Sequence, residues 1–173
     1  MDTTNFLPEG YEVPASGGGY MKLKDGDNIL RILSSAIIGY EYWNIDTKPV
    51  RSREEFTEQP ANIKLDKDGK PTKIKHFWSC VVWNYATKNV EILHITQATI
   101  QGAINNLVND EDWGSPKGYD LKISRTGEGF DTVYAVSPKP ARELDSEIAE
   151  AYDSKKINLE ALYTGDNPFE TKA

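Results

Sequence analysis

HFWSCVVWNYATKNVEILHITQ, residues 76–97, is the stretch that decides the fold. Two runs rich in β-branched and aromatic residues, 76–85 and 90–97, flank the short turn Ala86-Thr87-Lys88-Asn89. Such side chains suit a pleated, half-buried surface, so the stretch predicts two strands joined by a tight turn. A strand sends alternate residues to opposite faces. Trp78, Cys80, Val82 and Asn84 therefore share one side of the first strand, and Phe77, Ser79, Val81, Trp83 and Tyr85 share the other. Both sides carry aromatics, and a small barrel has little room for all of them. The pattern predicts that one side lies at least partly open.

Toward the C-terminus, Ile100, Ala103, Ile104, Leu107 and Val108 fall at i, i+3, i+4, i+7 and i+8, the spacing of one helix face. Thr96 or Thr99 can cap its start, and Asn109-Asp110 followed by Trp113-Gly114-Ser115-Pro116 ends it. YDLKIS (119–124) and FDTVYAV (130–136) read as two more strands, and Pro138 and Pro140 close the sheet. Residues 143–153 read as a helix with Leu144, Ile148, Ala151 and Tyr152 on one side, and the chain is expected to be loose after Asp166. Toward the N-terminus, Asn28–Ser34 predicts a strand with Leu30 and Ile32 on one face and Ile29, Arg31 and Leu33 on the other. AIIGYEYWN (36–44) is a second β-rich patch. Residues 62–75 alternate around Asp68-Gly69 as a candidate hairpin arm, and residues 1–19, with Pro8, Pro14 and Gly17-Gly18-Gly19, read as a flexible leader.

The order is strand, long excursion, two strands, helix, two strands. That is the order of the OB-fold, a partly open five-stranded Greek-key barrel whose faces and loops bind oligonucleotides or oligosaccharides. The expected class is all-β with added helices, the barrel helix lying between strands 3 and 4. Residues 20–140 form the OB domain, and 141–173 form an acidic C-terminal helix and tail.

Composition narrows the function classes. The chain has 173 residues and a net charge of −7. Residues 143–173 hold eight acids against three lysines, so −5 of that charge sits there and only −2 on residues 1–142. Bases cluster in the body at Lys48, Arg51 and Arg53 and at Lys64, Lys67, Lys70, Lys73 and Lys75, a stripe that is either a phosphate track or a solvated hairpin. The single cysteine, Cys80, excludes an internal disulfide and any zinc site needing two thiolates. The longest apolar runs are a few residues, far short of the ~20 a membrane span needs. The N-terminus lacks a basic-then-apolar signal pattern, which points to a reducing, cytoplasmic compartment. His94 in EILHITQ reads as a strand residue rather than a base, and no nucleophile elbow, zincin motif, P-loop or dinucleotide fingerprint is present. Asp110-Glu111-Asp112 is a solvated helix end or, less simply, a carboxylate cluster of a metal-dependent nuclease. The reading is non-enzymatic, with no catalytic residue, no metal and no cofactor.

Aromatics beside bases suit unpaired bases, because every base offers a flat face and stacking contributes ~1–3 kcal/mol per base. For any single ring, core packing and stacking stay equally open. The candidate nucleic-acid-binding set is Arg31, Tyr42, Trp43, Lys48, Arg51, Arg53, Lys73, Lys75, Phe77, Trp78, Trp83, Tyr85, Lys122 and Arg125.

NILRILS (28–34), GYEYW (39–43) and KPVR (48–51) resemble the opening of phage-type single-stranded DNA-binding proteins. So do Phe77-Trp78 with VEILHITQ and Thr99-Ile100, and so do Asp112-Trp113-Gly114, Tyr119–Ile123, Arg125-Thr126-Gly127 and Asp131–Tyr134. The resemblance spans roughly residues 20–140. It implies an OB-fold that coats single strands in replication, recombination or repair with little sequence preference. Trp43, Lys48, Arg51, Arg31 and the aromatics of 76–85 would line the groove. It implies the host cytoplasm as the compartment and single-stranded DNA as the partner. An acidic tail in such proteins recruits replication or recombination partners and competes with DNA. Some relatives carry a zinc module that one cysteine forbids here, and His94 stands where an acid is expected. A protein-interaction OB module that does not touch DNA is the rival reading.

Overall fold

The computed structural model describes residues 19–170. The leader expected over 1–19 lies outside these but for Gly19, as does the tip of the tail. Seven strands make one antiparallel sheet: β1 (Gly26–Ile32), β2 (Ile37–Trp43), β3 (Pro49–Ser52), β4 (Lys75–Asn84), β5 (Asn89–Ile95), β6 (Tyr119–Thr126) and β7 (Val133–Ala141). Three helices accompany them, α1 (Ala98–Val108), α2 (Ser146–Ser154) and the single turn α3 (Ala161–Thr164). The protein is mostly β, as expected.

β4 is the spine. One edge pairs with β5 along Trp78–Asn84. The other edge pairs with two strands in succession, β2 against Lys75–Ser79 and β1 against Val82–Asn84. β3 extends the sheet beyond β2, and β6 then β7 extend it beyond β1. The β-rich tract 28–44 is thus two strands, broken where Leu33 and Ser34 donate backbone N–H groups to the Val81 carbonyl. Among the described residues no ladder joins β5 to β7; α1 packs against β7. The sheet is open, so the barrel closure read from sequence is not seen in the pairing. Residues 62–74 do turn back at Asp68-Gly69, but as a short bridged arm rather than two full strands. Ile63 lies opposite Asn44 and Leu65 opposite Pro71, and Lys75 already begins β4. Asp66 shapes the tip of the arm by accepting the N–H groups of Asp68 and Lys70, as Gly69 takes a φ of 77°.

The inner face of the sheet holds the main core, with Leu30, Ile32, Cys80, Val82, Leu93, Ile95, Leu121 and Ile123 closed over by Ile100 and Ile104 of α1. The outer face holds a second core. Val81, Trp83 and Val90 are covered by Ile148 of α2, with Ala151, Tyr152, Ile157 and Leu159 packed around them. β4 is therefore sandwiched, and all of Ser79–Asn84 is buried. The expected open side of 76–85 is not found. The reason is the C-terminal segment, whose apolar residues need cover as much as the strand does. Nor are the described residues after Asp166 loose: Asn158 N–H donates to the Pro168 carbonyl at 2.8 Å, and the Phe169 ring meets Tyr20 edge-on at 5.6 Å.

Candidate nucleic-acid interface

The strand registers define what shares the outer face. Glu41 pairs with Lys75 on one side and with Arg51 on the other, Gly39 pairs with Phe77, and Ser79 pairs with His94. Trp43, two residues beyond Glu41, points the same way. Gly39 is required here, because a Cβ would lie 2.3 Å from the Ser52 carbonyl oxygen and 3.0 Å from the Phe77 ring. Its absence leaves room for that ring beside β2.

Trp43 closes β2 with its indole 41% exposed. A cavity of about 560 Å³ opens beside it, walled by Lys64, Lys67, Lys73 and Lys75 with Leu65. The bridged loop carries the first three of these lysines, and backbone bonds between Lys64 and Trp43 and between Thr72 and Lys64 tie that loop to the strand. The Trp43 ring thus borders a cavity lined by four lysines and one acid, Asp66.

Next to it lies a buried polar network. The His94 ring bridges Ser79 Oγ at Nδ1 and Glu41 Oε1 at Nε2, and it stacks on Phe77 with centroids 5.0 Å apart. Arg51 Nη2 stands 4.0 Å from Glu41 Oε2, and its guanidinium lies 5.8 Å over the Phe77 ring. Burial alone would push the Glu41 carboxyl up. The hydrogen bond and charge of His94, with Arg51 and Lys75, outweigh burial and hold it below the usual carboxylate range. Arg51 Nε is buried without a hydrogen-bond partner.

The C-terminal segment closes the far side. Arg53 lies 4.1 Å over the Tyr163 ring and pairs with Glu160, while Tyr163 OH donates to the Ile38 carbonyl. Tyr163 reaches within 6.1 Å of the Phe77 ring, which is fully buried.

The structure divides the residues singled out in the sequence. Trp43, Lys73, Lys75, Arg51 and Arg53 converge on this end of the outer face, and exposed Lys48 follows the Asn44 turn beside them. Tyr42 turns to the other face, buried, with its OH donating to Asn62 Oδ1. Trp78 lies on the inner face, lining a cavity of about 290 Å³ with Cys80 and Ile104. Trp83 is covered by α2. Arg31, 1% exposed, donates from Nε to Asp120 at 2.8 Å and to the carbonyls of Lys117 and Arg142, so its guanidinium is spent inside the fold. Tyr85 and Lys122 stand at the opposite end of the outer face, and Arg125 donates to the Leu23 carbonyl near Asp25. Lys64 and Lys67 lie at the Trp43 cavity although neither was in the candidate set; their spacing with Lys70 and Lys73 was the available signal. Tyr163 and Glu160 had no signal, since only the fold brings them to Arg53. Asp110 is occupied in the turn after α1, accepting the Asp112 N–H at 2.8 Å. Among the described residues, no His, Cys, Asp and Glu side chains group as metal ligands would.

No family model matches the chain, and no solved structure matches it. A protein of Escherichia phage T5 named "Probable ssDNA-binding protein" is 24% identical over 150 residues, covering 75% of this chain. The match covers 58% of that relative's own length.

Proposed function

We propose that this chain binds single-stranded DNA at the Trp43 end of its outer face. The observation that carries the reading is the exposed indole ringed by four lysines. The ring offers a stacking surface to one base, and the ammonium groups neutralise the phosphates on either side of it. Arg51, mostly buried and facing Glu41, adds positive charge to the wall of the site rather than a free donor. The name of the phage T5 relative supports the same ligand. Neither the stack nor the ammonium groups read base edges, so binding is indifferent to sequence. We take the fold as an opened OB-type sheet with β3 and the 53–74 loop added, and the role as coating of single strands in replication or recombination.

Competition tests this. A labelled unstructured oligonucleotide is bound, then challenged with unlabelled single strand or with duplex of the same sequence. Single strand must compete far better, because duplex bases are already stacked on one another. Equal competition removes the reading.

A further inference from the structure

The other end of the outer face holds a second aromatic and cationic site, unused by the Trp43 cavity. Tyr85, just past β4, lines a cavity of about 560 Å³ with Ile29, Lys139, Pro140 and Arg142. Its floor is a built network. Asp120, buried, accepts hydrogen bonds from Arg31 Nε and Tyr85 OH, each at 2.8 Å, and forms an ion pair with Arg142 Nη2 at 3.0 Å. Arg142 also donates to Tyr85 OH at 2.9 Å and stands 5.8 Å over its ring. Two guanidinium groups share one carboxylate, so the network keeps one positive charge in excess. Lys139 adds another. Lys122, paired with Ile29 and Ser137, adds a third on the same face. Neither lysine's ammonium has a partner among the described residues. Glu143 and Asp145 follow Arg142 in the chain, and Asp145, which immediately precedes α2, acts on Arg142 electrostatically.

α2 and its apolar cluster on Trp83 lie between this site and Trp43; one side of the half-buried Tyr85 packs against that cluster, and the ring borders the cavity with the rest. Lys75 and Tyr85 are separated by roughly 30 Å of strand at ~3.3 Å per residue. A short oligonucleotide cannot occupy both.

We infer that the Tyr85 cavity is a second binding site for single-stranded nucleic acid, taking a base against Tyr85 and phosphates at Lys122, Lys139 and Arg142. It deepens the proposed function and rests on it for the ligand class, but it stands on separate residues. One protein then holds two separated segments of single strand, of one molecule looped over α2 or of two molecules.

The stoichiometry of a thymidine tetranucleotide, about the smallest site an OB-fold offers, tests this on the full chain by native mass spectrometry and calorimetry. Two tetranucleotides per chain are expected. Lys122→Glu with Lys139→Glu reduces this to one while Trp43 is still quenched, and Trp43→Ala reduces it to one that the double glutamate change abolishes. Both lysines are partnerless, so neither change disturbs the Asp120 network, and circular dichroism checks the fold. One tetranucleotide per chain, lost on Trp43→Ala and indifferent to the lysine changes, overturns the second site and leaves the first. One that survives Trp43→Ala and is lost with the lysines supports the second site and removes the first. No binding at either place overturns both.

Discussion

Replacing Lys64, Lys67, Lys73 and Lys75 together by alanine should change how binding responds to salt more than any other change to the surface. The four lysines line the Trp43 cavity with one acid, Asp66, and among the described residues none forms a close ion pair, although Lys75 also acts on the Glu41 carboxylate. Each phosphate neutralised on a single strand contributes about −0.7 to the slope of log K against log salt. Four such contacts contribute about −2.8. Between 50 and 200 mM salt, a fourfold rise, that slope is about a 50-fold loss of affinity. The wild-type protein should therefore lose about 50-fold more affinity than the variant over this range, and the two should converge at high salt. Fluorescence anisotropy of a labelled oligo-dT, repeated across salt concentrations, reads the slope directly. Three of the alanines lie on the loop surface and the fourth at the exposed start of β4, so the melting temperature should change little. Parallel lines for variant and wild type, at any separation, would refute the assignment of these lysines to phosphates.

Three further outcomes follow from the packing. Ile148→Ala removes the buried α2 side chain that covers Trp83 and should cost about 2–5 kcal/mol, read by urea unfolding; a cost below ~0.5 kcal/mol would mean that α2 does not hold the second core. The Glu41 carboxyl is held below its ordinary value in the fold, so its contribution to stability is present above the unfolded value of ~4.3 and fades as pH falls through the folded one. Glu41→Gln should flatten the acid limb of melting temperature against pH, and an unchanged limb would remove His94 and Arg51 as its stabilisers. Burial pushes the Cys80 thiol up to about 12, so it should resist a thiol reagent at pH 8 and react only on unfolding; rapid labelling of the native protein would contradict its place in the core.

What the sequence revealed, it revealed locally. The hairpin of 76–97 and the helix of 98–108 are set by short-range patterns, β-branched runs for one and i, i+3, i+4 spacing for the other. Tertiary partners decided the rest. Val81 and Trp83 read as one open face because the residues that cover them, Ile148 to Leu159, come more than sixty positions later. Arg31 reads as a surface cation, and only the antiparallel pairing of β1 with β6 shows that Asp120 waits opposite it. Glu41 and His94 looked like unrelated polar residues on apolar strands until β4 brought both onto one face. Trp43 was legible, since its run GYEYWN ends at a turn with lysine and arginine just beyond. The groove foreseen for Trp43, Lys48, Arg51, Arg31 and the aromatics of 76–85 is broken up by long-range packing: Arg31 and Phe77 are buried, Trp78 faces inward and α2 covers Trp83.

Of the four tryptophans, Trp78, Trp83 and Trp113 are packed against one core or the other, and only Trp43 is markedly exposed. Intrinsic fluorescence titrated with oligo-dT is therefore a report from one residue. The wild-type protein should be quenched on binding, and Trp43→Phe, which keeps a ring but removes the reporter, should bind with little loss and show almost no quench. Quenching that persists in Trp43→Phe, or an unquenched wild type that still binds, would place the stacking elsewhere and contradict the account.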